Sequence, residues 1–204
     1  MFNIKREITS FFNPFFQTGT DSSFTFNYGT AYERWTPETH TIPSTQGIWL
    51  AGADHPNLTT NLYISYSATE LICFISQRPH YLLRYPEQRA FAALGLLPSM
   101  KQVHYLKCLF PYARWHLLFG PELLGNLAEA SIAAWFKGYH LSFRVEDCRI
   151  KVKYREKSFD FDSETFSLNR FERVTGLRSG MRTHKPRQGL LSFIAQYNNN
   201  VHGS

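Results

Sequence analysis

The sequence predicts an α/β fold in which a mainly parallel sheet of about four strands is covered by helices on both faces. Strand-like and helix-like stretches alternate from about Leu62 to Val145, an order typical of parallel strands joined by helical crossovers. Hydrophobic residues make up 43% of the 204 positions, enough for one well-packed domain with extensions. No stretch approaches the roughly 18–20 consecutive apolar residues that span a bilayer, so the pattern excludes a helical membrane span.

Each predicted element carries its own local signal. Apolar runs bounded by turn residues predict strands, and a capping residue before an apolar face predicts a helix. A short strand is predicted at GIWLAG (47–52), and the four strands of the sheet at NLYISY (61–66), AFAALGL (90–96), RWHLLF (114–119) and HLSFRV (140–145). The helices between them are SATELICFISQ with Ser67 as its N-cap, PSMKQVHYLKCLFP with Pro98 near its start, and PELLGNLAEASIAAWFKGY closed by Gly138.

Extensions flank this sheet on both sides. The stretch 148–163 alternates with period two around Arg155-Glu156-Lys157 and predicts a C-terminal β-hairpin. We divide the chain into an irregular, aromatic-rich extension packed on the domain (1–46), an α/β domain with the hairpin (47–175) and a basic C-terminal segment (176–204). The aromatic stretch SFFNPFF (10–16) is expected to fold back on the domain core. A protein-binding anchor, and so a scaffold function, is the alternative.

Positive charge is concentrated near the C-terminus. The net charge is +6, and five basic residues but no acidic ones follow Glu172. Such a segment can meet phosphate groups through nonspecific electrostatics, although basic side chains also simply solvate a surface. We therefore predict DNA or RNA as the partner. The predicted contact residues are Lys151 and Lys153 of the hairpin together with Arg178, Arg182, Lys185 and Arg187.

The predicted compartment is the cytoplasm, without a membrane partner. The N-terminal stretch 1–16 lacks the apolar core and the cleavage site of a secretion signal. Cys73, Cys108 and Cys148 are odd in number and widely spaced, which fits neither a disulfide framework nor a zinc site.

Two motifs lie on this strand–helix order, ISYSATELICF (64–74) and LLFGPELLG (117–125). The first is similar to the pattern I-S-E-S-x-I-D-A-L-S of the Toprim domains of topoisomerases and primases, and the second stands where those domains have an apolar strand, D-x-D and a glycine. The resemblance is closer to the Toprim domains in relaxase- and primase-like proteins of bacterial mobile elements. GIWLAG is similar to the family's G-x-W-x-S-N lead-in. The resemblance covers about 47–145. It implies a Toprim-like fold, a link to DNA replication or mobile-element transfer, and a replication or mobilisation protein as a further partner.

The same resemblance implies that catalysis has been lost. Tyr66 stands at the family's catalytic glutamate and Gly120 at the first aspartate of D-x-D, whereas Glu70, Glu122 and Gly125 match the pattern. Toprim enzymes hold magnesium with carboxylates, and neither glycine nor tyrosine, with a pKa of about 10, supplies one at neutral pH. We expect a catalytically inactive, nucleic-acid-binding or accessory module without a cofactor. The alternative is a residual nuclease or phosphotransferase with magnesium held weakly by Glu70 and Glu122.

Two further groups deserve a place among the candidates. Asp160 and Asp162 would share one face of a strand and form a fallback metal site, but we expect them to be solvated and to face Lys151 and Lys153 across the hairpin. The side chains of His104 and Cys108 lie at i and i+4 on a helix, where we expect packing and not catalysis.

Overall fold

The computed structural model describes residues 5–202, and the outer ends of the two predicted extensions, residues 1–4 and 203–204, lie outside it. Within this range the fold is mixed α/β, with seven α-helices and three sheets. The helices are α1 (Arg6–Phe12), α2 (Ala68–Gln77), α3 (His80–Leu83), α4 (Met100–Leu109), α5 (Leu123–Phe136), α6 (Leu168–Thr175) and α7 (Phe193–His202). The strands are β1 (Gln17–Thr18), β2 (Phe24–Asn27), β3 (Tyr32–Trp35), β4 (His40–Thr41), β5 (Trp49–Ala51), β6 (Asn61–Ser65), β7 (Arg89–Ala93), β8 (Arg114–Leu117), β9 (Leu141–Glu146), β10 (Arg149–Tyr154), β11 (Lys157–Asp162) and β12 (Arg182–Thr183).

The central sheet has the strand order β12–β8–β6–β7–β5. β6 runs parallel to both β7 and β8, β12 runs parallel to β8, and β5 closes the other edge antiparallel to β7. The chain passes from β6 to β7 on one side and then returns past β6 to β8 on the other. The connections therefore diverge between β6 and β8, and open α/β sheets commonly form a binding crevice at the carboxyl ends of such strands.

Helices cover both faces of the central sheet, and the predicted α/β class is confirmed. Leu62 and Ile64 of β6 lie in a core shared with α4 and α5, while Tyr63 between them packs on the side of α2. The cap of α2 is the one that the sequence indicates, because the Ser67 hydroxyl accepts the N–H of Glu70 at 3.2 Å. A capping box formed by the side chains of Ser99 and Gln102 begins α4.

The predicted fourth strand of the parallel sheet is wrong. HLSFRV forms β9, which pairs antiparallel with β10 and belongs to a separate sheet of order β11–β10–β9. The physical reason is the connection, since β9 and β10 are joined by Asp147 and Cys148 alone and only antiparallel neighbours can be linked so tightly. β10 and β11 pair antiparallel across Arg155 and Glu156, which both have positive φ, as a type I′ turn requires.

The N-terminal segment is more regular than the irregular extension that the sequence predicts. It forms α1 and an antiparallel sheet of order β1–β2–β3–β4, whose strands of two to four residues are too short to show a clear period. Its aromatic residues belong to the core: Phe12 is buried, with its ring centroid 5.0 Å from that of Phe91 and 6.2 Å from that of Trp49.

The C-terminal segment is likewise built into the fold. β12 extends the central sheet beside β8, and α7 packs against α2. No helix in the described residues has the length and apolar character needed to cross a membrane.

Candidate functional site

Four of the predicted site residues meet at the carboxyl ends of β6 and β8. Tyr66, Glu122 and Gly125 line a cavity of about 210 Å³. Gly120 lies against Gly125, where a Cβ would overlap the Gly120 carbonyl oxygen, so close backbone approach requires glycine there. A Cβ on Gly120 would in turn overlap the Glu122 carboxylate, which folds back over this position. We call these four residues the carboxyl-end site.

Glu70, which matches the family pattern and belongs to the alternative magnesium site, is hydrogen-bonded within the protein. Its carboxylate is buried and accepts the backbone N–H groups of Phe193 at 2.7 Å and Ile194 at 3.4 Å, at the N-terminus of α7. Burial raises the pKa of Glu70 to about 7, and these hydrogen bonds oppose the rise. Burial also raises the pKa of Tyr66, and the charges of Glu70 and Glu122 raise it further. Glu70 is thus committed to holding α7.

Lys185 fills an oxygen-lined position beside the carboxyl-end site. Its ammonium group donates to the Gly120 carbonyl at 2.8 Å, Asn126 Oδ1 at 3.0 Å and Glu129 Oε1 at 2.9 Å. Burial raises the pKa of Glu129 to about 7, and the charge of Lys185 opposes that rise. The sequence predicts Lys185 as a nucleic-acid contact, but its charge is used internally, against a carboxylate that is 1% exposed.

Glu33, which the sequence analysis did not single out, fills the N-terminus of α2. This fully buried carboxylate of β3 accepts six hydrogen bonds, with donor–acceptor distances of 2.6–3.1 Å. The donors are the Tyr28 and Ser67 hydroxyls, the Thr69 hydroxyl and N–H, the Ala68 N–H and the His40 ring. Burial favours protonation of Glu33, but the hydrogen bonds outweigh it and hold the pKa below its usual value. The protein's own carboxylate therefore occupies the place at a helix N-terminus where an anion would bind.

The amino end of the same sheet has the opposite character. Strand register places Arg89 and Arg114 on either side of Asn61, and Arg182 beside His116. His116 is buried, and its ring nitrogens lie 2.9 Å from His184 Nε2 and 2.9 Å from Asn61 Oδ1. These side chains share the α2 face of the sheet, because alternate residues of a strand point to the same side.

Four arginines surround this histidine pair, and we call Arg78, Arg89, Arg114 and Arg182 the arginine cluster. Burial lowers the pKa of His116 to about 3, with His184 and then Arg182, Arg114 and Arg89 adding to the effect. Burial also lowers the pKa of His184 to about 4, assisted by Arg78 and Arg182. Within residues 5–202 no member of the arginine cluster forms an ion pair.

A groove of about 440 Å³ opens beside the arginine cluster, at the amino ends of β6 and β8. Arg114 belongs to both features, and the groove walls include Tyr112, Trp115 and Phe136. Tyr112 is 80% exposed, whereas Trp115 is buried and its indole N–H has no hydrogen-bond partner among the described groups. We call this feature the amino-end groove.

The remaining predicted residues are dispersed over the surface. Lys151 is paired with Glu146 at 2.9 Å and stands opposite Asp160, as expected, while Lys153 stands opposite Ser158. Asp162 stands opposite Arg149, not Lys153, and accepts N–H groups from the following turn. Arg178 and Arg187 are exposed, and so are His104 and Cys108 on α4. In the part of the chain that is described, no three His, Cys, Asp or Glu side chains are arranged to hold a metal.

Sequence reasoning missed three of the four arginines in the cluster, although a signal for two exists. Arg89 and Arg114 each come directly before an apolar strand run, and the amino ends of parallel strands meet at one edge of a sheet.

Comparisons with protein-family models, with curated proteins and with solved structures found no match.

Proposed function

We propose that this chain is a non-catalytic, Toprim-like module that binds nucleic acid through the arginine cluster. The observation that carries the proposal is the grouping of four arginines around a neutral histidine pair, with no ion-pair partner for any of the four among the described residues. Like charges held together repel one another, and a polyanion relieves that repulsion on binding. The planar guanidinium group also matches the geometry of a phosphate, to which it donates two hydrogen bonds.

The chemistry of the carboxyl-end site supports the non-catalytic part of the proposal. Magnesium takes several oxygen ligands in near-octahedral geometry. Tyr66 and Gly120 offer no carboxylate, Glu70 is bound to the start of α7, and Lys185 brings a positive charge to the Gly120 carbonyl. Of the two glutamates at the predicted motif positions, only Glu122 has an exposed carboxylate. This donor set is poor for the residual nuclease or phosphotransferase.

The test is a salt series of binding curves with fluorescently labelled DNA and RNA. We expect Arg114→Gln/Arg182→Gln to weaken binding at least tenfold and to reduce the slope of log K against log salt by about one to two, because about 0.7–0.9 of a counterion is released per phosphate contact. The matched control is Lys151→Gln/Lys153→Gln, which removes the same charge from the separate antiparallel sheet. The sequence predicts these lysines as contacts too, but each lies within ion-pair distance of a glutamate, so the control should change affinity much less.

Two outcomes would contradict the proposal. One is binding of the wild-type protein without any salt dependence. The other is equal loss of affinity in the arginine and lysine double variants, since that would assign the effect to net charge and not to the arginine cluster.

A further inference from the structure

We infer that the amino-end groove receives one unpaired nucleobase, so that the chain binds single-stranded nucleic acid in preference to duplex. This inference rests on the proposed nucleic-acid binding and adds the form of the ligand. The groove lies between the amino ends of β6 and β8, the last turn of α5 and the backbone before β12. Its volume of about 440 Å³ is in the range of small-ligand pockets, about 300–1,000 Å³.

Aromatic side chains give the groove surfaces on which a base can stack. Tyr112 is 80% exposed and makes no ring contact with another described aromatic residue. Phe136 also lines the groove, and its ring meets that of Trp115 at a centroid distance of 4.8 Å. Bases stack on exposed aromatic rings without regard to sequence, because each base has a π face.

The indole N–H of Trp115 supplies an unused hydrogen-bond donor. Trp115 is 2% exposed, and no described group accepts from its Nε1. A buried donor without an acceptor is costly, so such groups are rare in folded proteins. Nucleobases present carbonyl and ring-nitrogen acceptors at their edges. The Nε1 atom itself has essentially no exposed surface, so an acceptor on a bound base reaches it only when the groove wall opens.

The charges around the groove fit an anionic ligand. Arg114 lines it, and no aspartate or glutamate of the described residues does. Lys107 and Lys137 lie with their ammonium groups 4.9 Å and 5.6 Å from the centre of the Phe136 ring. Glu172 contacts the lining residue Ser179, and its carboxylate accepts the Ser179 hydroxyl at 2.5 Å and the Ser179 N–H at 2.8 Å. A phosphate can therefore approach through Arg114 while its base enters the groove.

The geometry also explains the preference for a single strand. Bases in a duplex are stacked on both faces and paired at their edges, so a recess between an exposed tyrosine and the sheet cannot reach them. A base enters such a recess only when it is unpaired or flipped out, and flipping a paired base has an energetic cost.

The experiment compares oligothymidylate of about 20 nucleotides with an abasic strand of the same length, using fluorescence anisotropy. Both strands carry the same phosphates, so the difference in affinity reports base contacts alone. We expect the wild-type protein to bind oligothymidylate about tenfold more tightly, and Tyr112→Ala to remove most of this difference while the salt slope stays unchanged. Tyr105→Ala, which truncates another exposed tyrosine outside the groove, is the matched control and should preserve it.

Trp115→Phe separates the hydrogen bond from packing, since it removes the N–H and keeps an aromatic ring. It should lower oligothymidylate affinity and leave abasic-strand affinity unchanged. Equal binding of the two strands by the wild-type protein, or an unchanged difference in Tyr112→Ala, overturns the inference while nucleic-acid binding itself stands. No salt-dependent binding of either strand instead overturns the proposed function, and the inference with it.

Discussion

The two ends of the central sheet handle charge in opposite ways. At the carboxyl end, the charges that are buried are paired or hydrogen-bonded within the protein. Glu33 fills the start of α2, Glu70 the start of α7, and Lys185 is surrounded by three oxygen atoms. At the amino end, four arginines surround two neutral histidines without an ion pair in the described residues, next to a groove with an unpartnered indole.

This difference separates structural charges from charges exposed for binding, chiefly those of Arg114 and Arg182. Arg89 is the exception at the amino end, because its guanidinium donates to Tyr81, Thr60 and Gln88. A buried charge that is fully hydrogen-bonded contributes to one packed arrangement, and removing its partner leaves an uncompensated charge in a low dielectric. A cluster of like charges destabilises the free protein slightly and becomes favourable only when a ligand of opposite charge arrives. Mutations at the carboxyl end should therefore lower the stability of the protein, whereas mutations at the amino end should lower its affinity for the ligand.

The largest expected effect is on the stability that Glu33 provides. Glu33→Gln replaces one acceptor oxygen by an NH₂ group that faces donors, so we expect a loss of about 3 kcal/mol in the free energy of unfolding, measured by urea denaturation. Asp21→Asn is the matched control on the same sheet, because its exposed carboxylate also accepts from neighbouring groups. A loss in Glu33→Gln no larger than in Asp21→Asn would show that the Glu33 network is not structural.

An effect of similar size is expected when Lys185 is removed. Lys185→Met leaves Glu129 buried without its counter-charge, which should cost about 2–4 kcal/mol at pH 8. The loss should shrink toward pH 5. The pKa of Glu129 is already raised to about 7, and it rises further without Lys185. Protonated Glu129 contributes its full stability at pH values below the unfolded pKa. That contribution is lost as the pH increases through the pKa of Glu129 in the folded protein.

Denaturation curves at several pH values test this prediction. Glu129→Gln added to Lys185→Met should recover part of the stability at pH 8 and flatten the pH dependence. A loss in Lys185→Met that is the same at pH 5 and pH 8 would contradict the assigned role of Glu129.

The smallest expected effect concerns the histidine pair. Both pKa values are depressed, so the pair contributes stability above the unfolded pKa of about 6.5, and this contribution is lost as pH falls through about 4 for His184 and about 3 for His116. Arg182→Gln should raise both pKa values slightly, because Arg182 acts on both rings. NMR titration of the imidazole protons measures this change.

Bound oligonucleotide should act on the histidines in the same direction as Arg182→Gln. Phosphate groups beside the arginine cluster offset its positive charge, so the pKa of His184 should rise on binding. Unchanged imidazole titration in the presence of saturating oligonucleotide would place the nucleic acid elsewhere on the surface.

The local elements could largely be predicted from the sequence, and their partners could not. Ser67 begins α2 as expected, and the helix predicted with Pro98 near its start begins after the Ser99 cap, since a cap acts within three residues of chain. β9 has the sequence of a strand, but the short link to β10 decides which sheet it joins. The two-residue strand β12 has no detectable period of its own and exists because β8 offers it an open edge.

The sequence by itself determined the α/β class and the helix start at Ser67, because these depend on local periodicity and capping. That Tyr66, Gly120, Glu122 and Gly125 meet was decided by the tertiary structure. Only the tertiary structure decided that Glu33 and Lys185 fill the carboxyl end, and that Arg78, Arg89, Arg114 and Arg182 gather at the amino end. The physical reason is range. Caps and periods act over a few residues, whereas these charges are brought together from distant segments by packing alone.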